Sequence, residues 1–155
     1  MKQTHMEPHI DNIVACDGSS SGSKSHVGYS FAVSTPHGID VRHGLHKVHR
    51  KEHAAIQSEW CAFVYGILYA NEKKLKNVSV IVDNESVQKH VALYLEKKPN
   101  KLPEWVIEAL DECEGMIKQI VKVKGHTNNG DYTSILFKMV DMGSRSYSKH
   151  NQLVR

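Results

Sequence analysis

The chain has 155 residues, 40% of them apolar and 24% charged, with a formal net charge of +3 that counts its eleven histidines as neutral. Those values exclude a disordered or fibrous chain and fit one globular domain that buries roughly two thirds of its extended surface. The small positive balance leans toward a polyanionic partner, more so below about pH 6.5 as histidines charge.

Residues 1–11 are polar and are expected to fray, with no apolar core of signal-peptide length. No run approaches the roughly 18 apolar residues of a membrane span, so a cytoplasmic protein is expected, or one made by a virus in the host cytoplasm. Cys16, Cys61 and Cys113 are odd in number and far apart, which reads as buried free thiols in a reducing compartment.

The first predicted strand runs from Asn12 to about Cys16 and is followed by a Gly/Ser-rich turn. HVGYSFAVST and GIDVRHGLHKVH read as a second and third strand, joined by a short TPHG link that suits an antiparallel hairpin. The period then changes. Ile56, Trp60, Phe63, Val64, Ile67 and Leu68 form a helical stripe. Val78, Val80, Ile81 and Val82 are a β-branched cluster that favours a strand. Asp83 or Asn84 can cap a helix from Glu85 to about Glu96. KKPNKLP breaks the pattern, and Pro103 fits a first helical position ahead of a stripe through Trp105, Val106, Leu110 and Met116. IVKVK reads as a fifth strand, GHTNNG as a turn, and DYTSILFKMVDMGSRSYSK as a closing helix. The order predicts an α/β domain with a mixed sheet, its first, fourth and fifth strands forming a parallel centre.

Acids stand at telling places in this order. Asp17 and Asp83 each follow an apolar segment, and as ends of parallel neighbouring strands both would arrive at one sheet edge, where α/β folds bind ligands. Singly, each aspartate is ordinary turn or cap chemistry. Glu59 shares the face of Ile56 and Phe63, where a charge is costly unless it is paired or bound to a cation. Asp141 follows Leu136, Met139 and Val140 near the inward face of the last helix. Crowded carboxylates need a counter-charge. Oxygen ligands favour Mg²⁺ or Mn²⁺ over zinc, and such a cluster can hold two ions about 3.5–4 Å apart for phosphodiester hydrolysis.

With CDGSSSG, QSEWCAF, VIVDNES and KGHTNNG followed by VDMGSR, the chain resembles ribonuclease H of the bacterial type 1 family over residues 12–146. The resemblance implies a ribonuclease H-like fold of one five-stranded mixed sheet flanked by helices, occupying residues 12–147 with a short tail at 148–155. It implies metal-dependent cleavage of the RNA strand of RNA–DNA hybrids by a monomer. Asp17, Glu59, Asp83 and Asp141 then look like the metal-binding acids, with Asp17 bridging the ions and Asp83 helping to position water. His126 looks like the family histidine that assists proton transfer or product release; on its own it is one of many histidines in a turn.

The departures are specific. Family members often carry two asparagines where this chain has Ala55 and Ile56, which cannot read base edges. Glu85 stands where glutamine is common, Phe137 where asparagine is common, and DMGS replaces D-x-L-A. The spacing from His126 to Asp141 is longer than usual, so Asp131 is an alternative fourth acid, although a helix-start aspartate also suits the dipole. The basic protrusion is missing. Phosphate contacts would come from Lys97, Lys98, Lys101, the HKVHRK run from His46, Lys122 and Lys124, all of which could equally be a solvated face. A related nuclease acting on another structured nucleic acid, and a non-catalytic binding domain, stay open.

Overall fold

The computed structural model describes residues 12–19, 26–47 and 54–123, the side chains of residues 54 and 55 excepted. Strands β1 (Asn12–Ser19), β2 (His26–Thr35) and β3 (Gly38–Lys47) precede helix α1 (Ala54–Glu72). Strand β4 (Val78–Val82), helices α2 (Glu85–Leu95) and α3 (Glu104–Glu112), and strand β5 (Ile117–Lys122) follow. They build one sheet in the order β3-β2-β1-β4-β5. β1 pairs antiparallel with β2 and parallel with β4, β2 pairs antiparallel with β3, and β4 pairs parallel with β5. The parallel part therefore comprises β1, β4 and β5, but β5 lies at the edge of the sheet and not in its centre. Its mostly exposed face fits that place.

Strand alternation sorts the core. Val14, Cys16, Phe31, Val33, Val78, Val80 and Val82 point to the helix-covered face, where they pack with Phe63, Ile67, Val87, Val91, Val106 and Leu110. Burying each of these larger aliphatic or aromatic side chains stabilises the fold by roughly 1.5–3 kcal/mol. Ile13, Ala15, Ala32 and Ile81 form a separate buried cluster on the opposite face, and among the described residues no helical side chain joins it.

Helix α1 lies close on β1. A Cβ on Gly66 would stand 3.0 Å from Val14 Cγ1 and 3.2 Å from Cys16 Sγ, so a glycine there lets helix and strand approach. The stripe predicted for this helix holds: Trp60, Phe63, Val64 and Ile67 are buried, with Ile56 and Leu68 packed partly against them.

Local expectations differ from the structure at several element ends. Gly18 and Ser19 belong to β1 and do not begin a turn. Of the two residues expected to cap α2, Asn84 does so, its side chain accepting a hydrogen bond from the Val87 amide at 2.9 Å. Pro103 is the cap of α3, one position before the first helical residue, its extended ψ of 150° placing it outside the helix. That helix stops at Glu112, short of Met116, the last residue of its predicted stripe. Gly115 takes φ +84°, a left-handed turn that glycine adopts without strain, and the chain leaves directly into β5. The link from Glu96 to Pro103 holds no helix, so α2 meets α3 without an inserted protrusion. No described helix is long and apolar enough to cross a membrane.

Candidate metal centre

The acids of the first three motifs come to one end of the sheet. Parallel pairing of β1 with β4 sets Ala15 beside Ile81, so two further residues along each strand bring Asp17 level with Asp83. By alternation Asp17 continues the face of Ile13 and Ala15. Asp17 lies inside β1 and is 4% exposed, whereas Asp83 immediately follows β4 and is partly exposed.

Glu59 approaches from α1. A Cβ on Gly18 would overlap the backbone carbonyl of Ser58, so the residue after Asp17 and the residue before Glu59 are in direct backbone contact. Only a glycine permits this approach, because any larger side chain would have to push the helix away. Electrostatics agree with the packing. Burial pushes the Cys16 thiol far up, and the charges on Glu59 and then Asp17 push it further, so both carboxylates act on one neighbouring sulfur.

The donor set is all oxygen, which fits a hard divalent cation better than zinc. A carboxylate as buried as Asp17 is held rigidly by its strand, a useful property in a ligand. Among the described residues, however, no three His, Cys, Asp or Glu side chains converge closely enough to hold an ion. His126, Asp131 and Asp141 lie outside the described residues. Two acids thus lie at one end of the sheet, a third follows Ser58, which packs on Gly18, and a closed ligand shell is not formed by these three alone.

The predicted phosphate-contacting lysines Lys97, Lys98 and Lys101 are all exposed beside α2 and α3, and Lys98 pairs with Glu96 at 2.9 Å. Lys47 and Lys122 are exposed as well, while residues 48–53 and Lys124 fall outside the described residues. A cavity of about 660 Å³ lies elsewhere, between α1 and the β2–β3 strands. Tyr29, Phe31, Arg42, Tyr65 and Tyr69 line it, and none of the three acids does. The chemistry to be explained sits at the open strand ends, not in that cavity.

Sequence reasoning did not single out Ser58, Ser30 or His43. Ser58 carries no chemical signature. Ser30 and His43 become notable only once the strand register sets them in line with Asp17.

Known structures with this arrangement of elements decide the fold. A ribonuclease H1 of the halophilic archaeon Halobacterium salinarum aligns with a TM-score of 0.64 over 90% of this chain and 98% of that one, at 14% identity. The chain has the ribonuclease H-like fold. The protease–reverse transcriptase of prototype foamy virus aligns with a TM-score of 0.62 at 19% identity, covering 88% of this chain and 20% of that one. LC11-RNase H1, solved in complex with an RNA/DNA hybrid, aligns with a TM-score of 0.56 at 12% identity, covering 87% of this chain and 97% of its own. No protein-family model and no curated protein matches the sequence. At these identities the ribonuclease H-like likeness is one of fold, and function has to be argued from the residues.

Proposed function

We propose that the chain is a divalent-metal endoribonuclease that hydrolyses the RNA strand of RNA–DNA hybrids. The observation that supports this reading is the position of Asp17 and Asp83 just beyond the paired stretch of β1 and β4, with Ser58, beside Glu59, packed on Gly18. A pure binding domain gains nothing from acids gathered where phosphates must approach.

Asp17, Glu59, Asp83 and a fourth acid would hold Mg²⁺ or Mn²⁺. We take Asp141 as the fourth, with Asp131 the alternative. When bound, such ions acidify a water and stabilise the leaving oxygen. Asp17, fixed within its strand, would be the most rigidly held of these ligands. Asp83, with its greater exposure, would orient the attacking water by accepting its hydrogen bond. His126 would pass a proton or aid product release. The working unit would be residues 12–147, acting as a monomer in a reducing, cytoplasmic setting, consistent with three buried cysteines that form no disulfide.

One observation favours a second reading. Ile56 packs partly against the core, so the surface one turn before Glu59 offers an alkyl group where a hybrid-reading amide would stand. Glu85, exposed at the start of α2, adds negative charge nearby. A related nuclease acting on another structured nucleic acid would have the same metal chemistry with different groove contacts. Cleavage of hybrid, duplex RNA and duplex DNA of one sequence, at one salt concentration, separates the two. Preferential cutting of the RNA in the hybrid supports the first reading, and faster cutting of either duplex rejects it.

A further inference from the structure

The strand register sets a row of polar side chains across one face of the sheet. Asp17 lies directly opposite Ser30 in β2, and Ser30 lies directly opposite His43 in β3. Directly opposite residues carry their Cβ atoms about 4.5–5.5 Å apart, within reach of a hydrogen bond between short polar side chains. Ser30 is 0% exposed, and its Oγ lies 3.3 Å from Nδ1 of His43, which itself is exposed. A polar path therefore runs from solvent through a wholly enclosed hydroxyl toward a carboxylate that is nearly enclosed. The neighbouring positions on that face, Ala15, Ala32 and Ile81, are apolar. A buried hydroxyl in such surroundings is costly unless its proton and lone pairs are used.

We propose that Ser30 and His43 are positioning residues that fix the Asp17 carboxylate for metal binding. The proposal rests on the reading of Asp17 as a metal ligand. A serine hydroxyl has one proton to give and two lone pairs. With its ring proton on Nδ1, His43 donates to Ser30 Oγ, and the serine proton is then directed at Asp17. One carboxylate oxygen accepts this bond from the β2 side, which leaves the other facing the strand ends. The opposite tautomer would take the serine proton itself and give Asp17 nothing. The role of His43 is thus to set the direction of the serine proton.

The test is Mn²⁺ binding by calorimetry, with no nucleic acid present. Ser30→Thr and Ser30→Val add nearly the same volume and differ in the hydroxyl. Ser30→Thr is expected to match the wild type and Ser30→Val to bind on the order of 10-fold more weakly, the size typical of removing a partner behind a metal ligand. At the exposed His43, where folding is not at stake, His43→Leu should weaken binding. His43→Asn, whose amide can donate from near the Nδ1 position, should restore it. Equal affinities within each pair overturn the proposal, and the His43 pair alone decides if Ser30→Val fails to fold. Asp17→Asn is measured alongside. If it abolishes binding while the pairs stay equal, only the positioning role is rejected. If it leaves Mn²⁺ binding intact, the metal reading is rejected and this proposal with it.

Discussion

Gly18 sets how near Glu59 can come to Asp17. A methyl group there would collide with the Ser58 carbonyl, backbone that cannot swing aside as a side chain could. Gly18→Ala is therefore expected to cost about 1–3 kcal/mol through overpacking, and to lower cleavage more than the reduced stability explains. Urea denaturation and initial rates on the same preparation would show both effects; a variant as stable and active as wild type would contradict the contact. The thiols make a second prediction at this scale. Burial pushes Cys61 up to about 12 from a usual 9.0. Cys113 rises to about 11, by burial first and then by the charge on Glu112. A folded thiol with a raised pKa contributes its full stability below the unfolded value of 9.0 and loses it as pH climbs toward the folded value. The urea midpoint should start to fall above about pH 9, where the unfolded chain ionises first. A midpoint that rises there would refute the assignment. How much of the site was legible in the sequence differs residue by residue. Asp17 and Asp83 could be found because each ends an apolar run. Glu59 could be found because it interrupts a packing stripe. Ser30 could not, because nothing local to HVGYSFAVST tells which of its residues will face Asp17.

Helix ends depend on single side chains, and α2 shows it. The Asn84 side chain takes up the Val87 amide, one of the donors that every helix start leaves unpaired. Asn84→Ala is expected to cost about 1 kcal/mol, read as a lower urea midpoint, with the cleavage rate at ordinary temperature close to wild type. Asn84 directly follows Asp83, so a large loss of rate would mean that the cap also aims the acid. The sequence left the choice between Asp83 and Asn84 open because both residue types cap well. It misplaced the end of α3 for a clear reason. Val106, Leu110, Cys113, Ile117 and Ile120 keep three- and four-residue spacing straight through the Gly115 turn, so an edge strand continues the rhythm of the helix before it. Periodicity reports which side chains reach the core, not which backbone carries them there. The β1 boundary failed differently. Gly and Ser usually mark a turn, but here a glycine was needed inside a strand for close packing.

At the scale of the molecule, the hairpin and crossover order made the mixed sheet legible, while the edge position of β5 was not. A chain order of strands fixes neighbours only where a connection is tight, and β5 follows a helix that could return to either side. Lys97, Lys98 and Lys101 are exposed along the α2–α3 link, at the opposite end of α2 from Asp83. If they contact phosphates, hybrid affinity should fall steeply with salt. Replacing Lys97 and Lys101 by alanine should reduce the log–log salt slope by roughly 0.7–0.9 for each phosphate that is no longer neutralised. An unchanged slope would make this link a solvated face and move the grip to Lys47, Lys122 or the residues beyond them.

The central claim is that acids gathered at the ends of β1 and β4 drive metal-dependent cutting of RNA in a hybrid. Its most direct test is cleavage of an end-labelled RNA–DNA hybrid with Mg²⁺ and with Mn²⁺, comparing wild type with Asp17→Asn at matched circular dichroism. Asp141→Asn and Asp131→Asn run in parallel would identify the fourth acid. We predict metal-dependent cutting by the wild type, and loss of at least about 10³-fold in the folded Asp17→Asn protein, the scale of removing an electrostatic group from a catalytic centre. Undiminished cutting by Asp17→Asn, or a wild type that binds hybrid yet cuts with neither metal, would contradict the account.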